Sequence, residues 1–553
     1  MPREIIWRCV HVVLLLAETG DFRHKSAERS QAEATASMKA FFAPRSVVVV
    51  GANRERGKIG AEVLHNLTAA GFTGRVFAVH PSADVIDGVK AYGSVGAIPE
   101  DVDLAVICVP AASVLAVVDE CTAKGVKAIV VISAGFGETG AAGREREHVL
   151  LEKIRSTGVR LVGPNCMGLI NTDPAIRLNV TFAPTAPPPG RVAMSTQSGA
   201  LGLAILDYAR QLHIGLSTFV SVGNRTDVSS NDLLQYWAGD PHTDVILLYL
   251  ESFGNPRKFS QIARRVSRLK PLVAVKAGRS AAGARAATSH TGALASSDTI
   301  VDALFRQAGI IRTTTIEELF AVASVLAHQP VPKSRRVAIL TNAGGPGILA
   351  ADACEAHGLE MPALSEETVK DLRSFLPAAA AVGNPVDMIA SASADQYERA
   401  LTALLRDAAI DSVLVIFIPP LVTRLEDVAQ AVRRASVANP SKTVAGIFMS
   451  AQGVPPDLVP IPCFAFPESA AVALAHAAAR GDWLATPEGV VPVFDDMNEA
   501  AARGVMTQAL SRGGGWLTAA ESQGLMAAAG IPTAAAVVAA SEAEAIEAAA
   551  RIG

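Results

Sequence analysis

The feature that most constrains the fold is the repeated alternation of short apolar, β-branched runs with helical stretches. Val47–Val50 is followed by a helical pattern over 60–70, and further apolar runs recur at 76–79, 104–109, 128–132 and 160–162. Strand and helix in alternation indicate parallel strands joined by right-handed crossovers. The pattern restarts after the Pro-rich stretch 184–189 and again after His328. The sequence therefore predicts an α/β protein with three consecutive doubly wound domains.

The breaks in this pattern give the expected domain boundaries. They predict a disordered extension over 1–39, α/β domains over 40–172, 173–330 and 331–484, a linker over 485–512 and an incomplete further domain over 513–553. The last segment is too short for a core of its own. The apolar stretch 10–17 weakly resembles a signal peptide, but it is short and interrupted by His11. A mis-assigned start codon explains it equally well, with Met38 as the natural start.

Charge and cysteine usage exclude several classes of function. The 49 basic and 53 acidic residues give a net charge of −4, which argues against nucleic-acid binding through bulk positive charge. The longest apolar runs fall short of the ~18 residues that a membrane span needs. The six cysteines show no CxxC spacing, so neither a metal site nor a disulfide framework is indicated. A reducing, cytoplasmic location fits this usage.

A glycine-containing loop, Gly51-Ala-Asn-Arg-Glu-Arg-Gly-Lys-Ile-Gly60, follows the first strand and opens a helix. Such a loop brings a phosphate to the helix N-terminus. The spacing is not GxGxxG. The second strand ends in Val79-His-Pro-Ser82, without an acidic residue, so an NAD site here would lack the carboxylate that binds the ribose. Two interpretations stay open: a plain strand-to-helix turn, or a different nucleotide-bearing ligand.

Two further turns follow strands of the first domain, Ser133-Ala-Gly-Phe-Gly-Glu138 and Gly163-Pro-Asn-Cys-Met-Gly168. Ligands of open α/β sheets bind at the carboxyl ends of the strands, so both turns are expected to line one crevice. Cys166 in the second turn is a possible nucleophile. Nothing around it argues for a lowered thiol pKa, and a buried structural cysteine is the plainer interpretation.

His290 lies in a loop of small residues, Ala287-Thr-Ser-His-Thr-Gly-Ala293. A single loop histidine is ordinarily a solvated residue. Two segments, 195–200 and 341–347, present bare backbone N–H groups at helix N-termini, and two such ends make a strong anion site. Glu251 follows an all-apolar strand and can hold one ring nitrogen of His290. The combination suggests transfer of a phosphoryl group onto His290. Asp227, in Gly223-Asn-Arg-Thr-Asp227, either positions a loop, balances charge or serves only the turn.

These motifs occur together in one order along the chain. Beside the turns already described stand Ser195-Thr-Gln-Ser-Gly-Ala200, Ser289-His-Thr-Gly-Ala293, Thr341-Asn-Ala-Gly-Gly-Pro-Gly347 and Gly383-Asn-Pro-Val-Asp387. From Phe41 to Trp483 the chain resembles the α-subunit region of the NDP-forming acyl-CoA synthetases, such as ADP-forming acetyl-CoA synthetase, which are relatives of succinyl-CoA synthetase. The resemblance implies a Rossmann-like CoA-binding domain and two flavodoxin-like ligase domains, the first of which carries the phosphohistidine loop.

The resemblance also implies a reaction and its residues. Acyl-CoA and phosphate give an acyl phosphate and CoA, and His290, stabilised by Glu251, takes the phosphoryl group and releases the acid. Phosphate binding falls to six residues at the two helix starts: Gln197, Ser198, Gly199, Gly344, Gly345 and Gly347. Coenzyme A binding falls to seven residues of the first domain: Gly51, Asn53, Arg54, Gly57, Lys58, Ser133 and Asn165.

The implied partners are a small carboxylic acid or its acyl-CoA, phosphate, and an ATP-grasp domain in cis or on a β-type subunit, within an oligomer. ADP or ATP with Mg²⁺ enters only through that ATP-grasp domain. The chain departs from the family pattern in three places. It has His80-Pro-Ser82 where the family commonly has Asn-Pro-Lys, its first 37 residues have no counterpart, and its tail from Gly515 resembles only the first turns of an ATP-grasp domain. The chain alone is therefore not expected to make ATP.

Two rival interpretations accompany the enzyme. Some relatives fuse this scaffold to an acetyltransferase and serve as CoA-binding regulatory modules, in which the histidine is often replaced. The presence of His290 and Glu251 favours the enzyme. The other rival is a truncated, inactive gene product. No motif reports the acyl group, and the preference for ADP or GDP belongs to the ATP-grasp domain.

Overall fold

The computed structural model describes residues 31–283, 285, 298–420, 423–449, 455–487, 494–534 and 536–552. Its contacts define two compact units, of which the first, residues 31–486, contains three α/β sheets. The prediction of three consecutive doubly wound domains is confirmed. No helix among the described residues is long and apolar enough to cross a bilayer.

The first sheet has seven strands in the order β3-β4-β2-β1-β5-β6-β7. Its strands are β1 Ser46–Val50, β2 Arg75–Val79, β3 Val85–Ile86, β4 Val89–Tyr92, β5 Leu104–Ile107, β6 Ala128–Val131 and β7 Arg160–Val162, and its helices are α2 Ile59–Ala69, α3 Ala111–Ala123 and α4 Ala141–Thr157. The central strands β1, β5 and β6 are fully buried, because helices cover both faces of a parallel sheet. Continuous apolar runs such as Val47–Val50 follow from this burial.

The second sheet has the order β14-β13-β12-β10-β11-β8-β9. Its strands are β8 Gly168–Asn171, β9 Leu178–Asn179, β10 Pro189–Thr196, β11 Leu216–Ser221, β12 Val245–Leu250, β13 Leu272–Lys276 and β14 Ile311–Thr313, and its helices are α5 Gly199–Gln211, α6 Ser230–Gly239, α7 Pro256–Leu269, α8 Asp298–Ala308 and α9 Ile316–His328. β8 pairs antiparallel with β11. The second sheet therefore begins at Gly168, before the boundary predicted at residue 173.

The third sheet has six strands in the order β16-β17-β15-β18-β19-β20. Its strands are β15 Val337–Thr341, β16 Ala381–Val382, β17 Val386–Asp387, β18 Ser412–Phe417, β19 Thr443–Phe448 and β20 Cys463–Phe464, and its helices are α10 Gly344–Ala356, α11 Glu366–Phe375, α12 Ala394–Arg406, α13 Leu425–Ala438 and α14 Pro467–Ala485. Helices α9, α10 and α14 share one buried apolar cluster with strands of the second and third sheets. These two sheets are thus parts of one packed body.

The expected extension over 1–39 is wrong for residues 31–39. Helix α1 spans Gln31–Phe42, and its Met38, Phe41 and Phe42 are buried. Phe42 stacks on Tyr236 with ring centroids 4.6 Å apart. Residues 31–39 therefore belong to the folded unit, because α1 buries apolar side chains that a low-periodicity sequence did not reveal. Residues 1–30 lie outside the described part.

The second unit contains helices α15 Glu499–Ser511, α16 Ala519–Ala528 and α17 Glu542–Ile552. The Asn498 side chain caps α15, and Ala502 of α15 belongs to the same small apolar cluster as Leu525 and Ala528 of α16. The interpretation of 485–512 as a linker therefore missed a helix, since α15 is stabilised by packing against a helix that follows it.

Asp103, directly before β5, makes a pH-dependent contribution to the stability of the first sheet. Burial opposes its charge, but hydrogen bonds from Lys127 and Arg45 outweigh burial and lower the Asp103 pKa from 3.8 to about 2. The unfolded chain binds the proton more readily, so this stabilisation exists above about pH 4 and is lost as the pH falls towards 2. We expect Asp103→Asn to cost about 1–2 kcal/mol at pH 7. Urea titrations should show that cost shrinking below pH 4, and a pH-independent cost would contradict the assignment.

Candidate active site

The first of the two helix starts predicted for phosphate follows β10. Ser198 is the N-cap of α5, and its Oγ accepts a hydrogen bond from the Leu201 N–H at 3.3 Å. Thr196 Oγ1 donates to the Ser198 carbonyl (3.0 Å) and accepts from the Ser198 N–H (3.1 Å). The first N–H groups of a helix have no intrahelical acceptor, so those of Gly199 and Ala200 are left to bind an anion.

The second helix start, after β15, repeats this design. Thr341 Oγ1 donates to the Ala343 carbonyl (2.9 Å) and accepts from the Ala343 N–H (3.0 Å). The N–H groups of Gly344 and Gly345 are exposed at the start of α10. Gly347 differs from the prediction, because its N–H donates to the Ala343 carbonyl at 3.3 Å and a Cβ there would lie 3.1 Å from Thr341 Cγ2. Gly347 therefore serves packing, and it supplies no free donor.

The Gln197 side chain makes hydrogen bonds to the residues that follow β12. Its Oε1 accepts from the Glu251 N–H (2.8 Å) and the Ser252 N–H (2.9 Å), and its Nε2 donates to the Ser252 carbonyl (2.8 Å). Three hydrogen bonds of the Gln197 amide therefore fasten the end of β12 and leave the second Nε2–H unused, so the role of Gln197 as a phosphate ligand stays a prediction. We call this arrangement the Gln197 clasp. Asn342 fastens Ile418 after β18 in the same way, with distances of 2.8 and 3.0 Å.

Glu251 directly follows β12, and its side chain is part-buried. Two cations that sequence reasoning missed lie near it. Arg225 donates from Nη1 to the Ser252 carbonyl (2.9 Å) and from Nη2 to Ser252 Oγ (2.8 Å). Burial lowers the pKa of Arg225 and that of Lys276, and the charge of Glu251 opposes both shifts. The surroundings of Glu251 are thus basic. The sequence signal that could have indicated this is Arg225 in Gly223-Asn-Arg-Thr-Asp227.

His290 lies outside the described residues. The last strand before it, β13, ends at Lys276, and Lys276 pairs with Leu250 of β12. The chain therefore leaves the sheet beside Glu251. After His290 in the sequence, α8 begins at Asp298, which forms an ion pair with Arg312.

The glycine loop after β1 closes tightly on α2. A Cβ at Gly60 would lie 2.0 Å from the Gly51 carbonyl oxygen, and Gly51 has a φ of +85°. Arg56 is held by Glu62 at 2.9 and 2.8 Å, and the Gly57 N–H also donates to Glu62. The remaining cations of the loop, Arg54 and the N-cap Lys58, are exposed at the helix start. Lys58 Nζ lies 3.9 Å from the carboxylate of Glu55, and both side chains are largely exposed. A diphosphate fits these two exposed cations beside a bare helix N-terminus.

The other predicted CoA residues lie near carboxyl ends of strands and have partners within the protein. Asn53 Oδ1 accepts from the Glu55 N–H at 2.8 Å, and Ser133 Oγ donates to the Val109 carbonyl. Asn165 has a φ of +56°, donates its N–H to the Ser133 carbonyl (3.0 Å) and its amide to Asn224 (3.3 Å). The turns containing Ser133 and Asn165 therefore meet, as the sheet-edge argument predicted.

Asp227 joins two sheets. It accepts from Arg160 Nε at 2.8 Å and from the Leu161 N–H at 2.9 Å, while Arg160 also binds Asp232 (3.1 Å) and Ser37 (2.8 Å). Arg160 is 5% exposed. Of the alternatives for Asp227, positioning of a segment is the one that the contacts support, since the carboxylate fastens its turn to β7.

Cys166 is buried, and its Sγ donates to the Val131 carbonyl at 3.2 Å. Burial raises the pKa of the thiol to about 12. A thiolate is the reactive form of cysteine, so the interpretation as a buried structural residue is the one that the geometry supports.

The Gln197 clasp leads to a prediction. We expect Gln197→Ala to slow phosphorylation of the protein about tenfold, because Glu251 loses the hydrogen bonds that hold its backbone. Asn171→Ala is the matched control. Asn171 is equally buried, at 8% exposed, and its amide donates to the Phe42 carbonyl at 2.8 Å. Both variants should lose similar stability, about 1–3 kcal/mol, in urea titrations. Equal losses of phosphorylation rate in the two variants would contradict the positioning role.

Comparison with known proteins agrees with this architecture. Three family models match in succession: a CoA binding domain over residues 45–172, a succinyl-CoA ligase like flavodoxin domain over 189–326 and a ligase-CoA domain over 337–453. Together they define a CoA ligase scaffold of the succinyl-CoA ligase type.

Individual relatives narrow this class. The chain is 44% identical over 413 residues to the acetate–CoA ligase [ADP-forming] II subunit alpha of Pyrococcus furiosus, covering 74% of this chain and 89% of that protein. It is 46% identical over 382 residues to the acetate–CoA ligase [ADP-forming] I of Archaeoglobus fulgidus, covering 69% of this chain and 55% of that protein. The structure of the Ca. Korarchaeum cryptofilum acetyl-coenzyme A synthetase 1 in complex with phosphate and ADP matches with a TM-score of 0.76 at 37% identity, covering 81% of this chain and 97% of that one. The chain belongs to the family of ADP-forming acyl-CoA synthetases.

Proposed function

We propose that this chain carries the acyl-CoA and phosphohistidine chemistry of an ADP-forming acyl-CoA synthetase, whose complete reaction converts acyl-CoA, phosphate and ADP reversibly into a carboxylic acid, CoA and ATP. One observation carries the proposal. Glu251 is fastened by the Gln197 clasp at the point where the chain leaves the sheet towards His290. The helix starts at Gly199 and Gly344–Gly345 supply donors for the phosphate.

Coenzyme A is assigned to the first sheet. Arg54 and Lys58 at the start of α2 suit its diphosphate, and the meeting turns of Ser133 and Asn165 suit the rest of the molecule at the sheet edge. Ser82 stands where the family commonly has lysine, so one cationic contact is absent at that position. We propose residues 40–172 as the CoA-binding domain, and 173–330 and 331–484 as the two ligase domains, with Gly168–Asn171 added to the first of these.

The first step forms acyl phosphate. A phosphate oxygen attacks the thioester carbonyl, the C–S bond breaks, and CoA leaves as the thiolate and takes up a proton. In the second step a ring nitrogen of His290 attacks phosphorus, the bond between phosphorus and the acyl oxygen breaks, and the carboxylate leaves. Glu251 stabilises the positive charge that develops on the imidazole, and the helix N–H groups stabilise the phosphoryl oxygens.

The nucleotide step needs an ATP-grasp domain, which would bind ADP with Mg²⁺ and accept the phosphoryl group from His290. The Pyrococcus furiosus relative is named as a subunit alpha, and the chain spans about half of the Archaeoglobus fulgidus relative. We therefore propose a partner that carries this domain, either a β-type subunit or a continuation of the same polypeptide. A small acyl group, an oligomeric assembly and a cytoplasmic location complete the proposal.

Substitution of arsenate for phosphate tests the first step without nucleotide. Acyl arsenates hydrolyse spontaneously, so acetyl-CoA with arsenate should give continuous release of CoA, whereas phosphate should give a burst of about one equivalent per chain. Release is followed by chromatography, with several acyl-CoAs and with CoA binding measured in parallel. Binding of CoA without any anion-dependent release would overturn the proposal and favour a regulatory module.

A further inference from the structure

A cavity of about 690 Å³ lies away from the reacting edge. It is lined by one face of α9, one face of α14, the loop 459–462 and the C-terminal end of α5, with His357 after α10. Helices α5 and α10 have 13 residues each, so this cavity is about 15–20 Å from the helix starts at Gly199 and Gly344. Its size matches that of pockets that bind small organic molecules.

The floor of the cavity is apolar and aromatic. Tyr208 and Phe320 meet edge to face with centroids 5.5 Å apart. Of these two rings Tyr208 is the accessible one, and Pro460 and Val472 extend the accessible surface, whereas Phe320, Ile461 and Phe464 are buried. Such a floor suits the ring of an organic ligand, since aromatic rings gain from edge and face contacts.

The carboxylates and the absence of lysine and arginine make the described lining of the cavity acidic. Three glutamates line the cavity, Glu317, Glu318 and Glu468, and its described lining contains no lysine or arginine. The Glu318 carboxylate already has partners within the protein, because it accepts hydrogen bonds from His476 at 2.7 Å and from the N–H and Oγ1 of Thr314 at 2.6 Å. Glu317 and Glu468 have no hydrogen-bond partner among the described residues. Four histidines also line it, and one of them, His476, is the partner of Glu318.

We propose that this cavity is a binding site for an organic cation that carries an aromatic ring. The ring packs on Tyr208, Pro460 and Val472, which are accessible, and the ammonium group lies near Glu317 and Glu468. Phosphate, carboxylates, CoA and nucleotides are anions, and the lining disfavours all of them. The site is therefore separate from the one that carries the family reaction, although α5 and α10 run from one to the other.

Three probes that share an indole ring test the charge preference: tryptamine as the cation, tryptophol as the neutral compound and indole-3-propionate as the anion. Affinities are measured with the full chain at pH 8 by calorimetry and ligand-detected NMR. We expect tryptamine to bind about fivefold more tightly than tryptophol, and indole-3-propionate to bind most weakly. Glu317→Gln should reduce the preference for the cation and leave the affinity for tryptophol unchanged.

Two substitutions test the location. Val472→Phe on α14 and Ser324→Phe on α9 each place a ring inside the cavity, from two different helices, and each should weaken all three probes. The melting temperature and circular dichroism report whether each variant folds, and one folded variant is sufficient. Equal affinity for the three probes, affinity unchanged by the filling substitutions, or no binding at millimolar concentration would each overturn the proposal.

Discussion

Replacement of Glu251 by glutamine is expected to slow phosphorylation of the protein by about two to three orders of magnitude. The amide keeps the size of the side chain and the backbone bonds to Gln197, at 2.8 and 2.9 Å, but it removes the negative charge. The imidazole gains positive charge as it attacks phosphorus, and in Glu251→Gln nothing at that position stabilises this charge. Arg225 and Lys276 nearby would then repel it.

Rapid-quench labelling with radioactive phosphate and acetyl-CoA measures this rate. CoA binding and the free energy of unfolding should be unchanged, because the coenzyme is assigned to the first sheet. Glu251→Asp provides the control, since it restores the charge at a shorter reach and should recover part of the rate. A Glu251→Gln protein that is phosphorylated at the normal rate would contradict the role assigned to the carboxylate.

Removal of Arg160 is expected to cost about 3 kcal/mol of stability, the largest loss that we predict for a single side chain. Arg160 joins β7 of the first sheet to Asp227 and Asp232, which follow β11 of the second sheet, and to Ser37 of α1. Arg160→Met leaves two partly buried carboxylates without their cation. We expect a cost at the lower end of the range for buried ion pairs, because the Asp227 and Asp232 side chains are 20% and 19% exposed to solvent.

Urea titrations of Arg160→Met and Arg191→Met measure the difference between a buried and an exposed ion pair. Arg191 pairs with Asp244, and the side chains are 53% and 43% exposed, so its loss should cost less than about 1 kcal/mol. Adding Asp227→Asn to Arg160→Met should recover part of the stability by removing an unpaired charge. Equal costs for the two arginines would show that Arg160 is no more than a surface contact.

The elements of the sheets could be predicted from local sequence because burial leaves a local signal. Val245–Leu250 is an uninterrupted apolar run, and it forms a strand with these bounds, since a central parallel strand is covered on both faces. The start of α5 at Gly199 was equally readable from the Ser198 cap and the strand before it. Such elements can be predicted from residues that are close together in the sequence.

What the sequence did not reveal depends on distant partners. Asp227 finds Arg160 67 residues away, and the Gln197 amide finds Ser252 55 residues away. No local pattern distinguishes a glutamine that faces a ligand from one that fastens a neighbouring strand, so the bonds between Gln197 and the residues after β12 could not be predicted. The same holds for Gly347, whose N–H is used inside the first turn of α10, and for α1, which is stabilised by Tyr236 and Asn171 from elsewhere in the fold.

The central claim is that a phosphoryl group moves from acyl phosphate onto His290. The most direct measurement is incubation of the purified chain with acetyl-CoA and radiolabelled phosphate, with His290→Ala in parallel. A phosphohistidine is labile in acid and stable in base. We predict label with these properties on the natural chain and none on His290→Ala. Absence of label with several acyl-CoAs, with CoA binding confirmed, or label that persists in His290→Ala, would contradict the account.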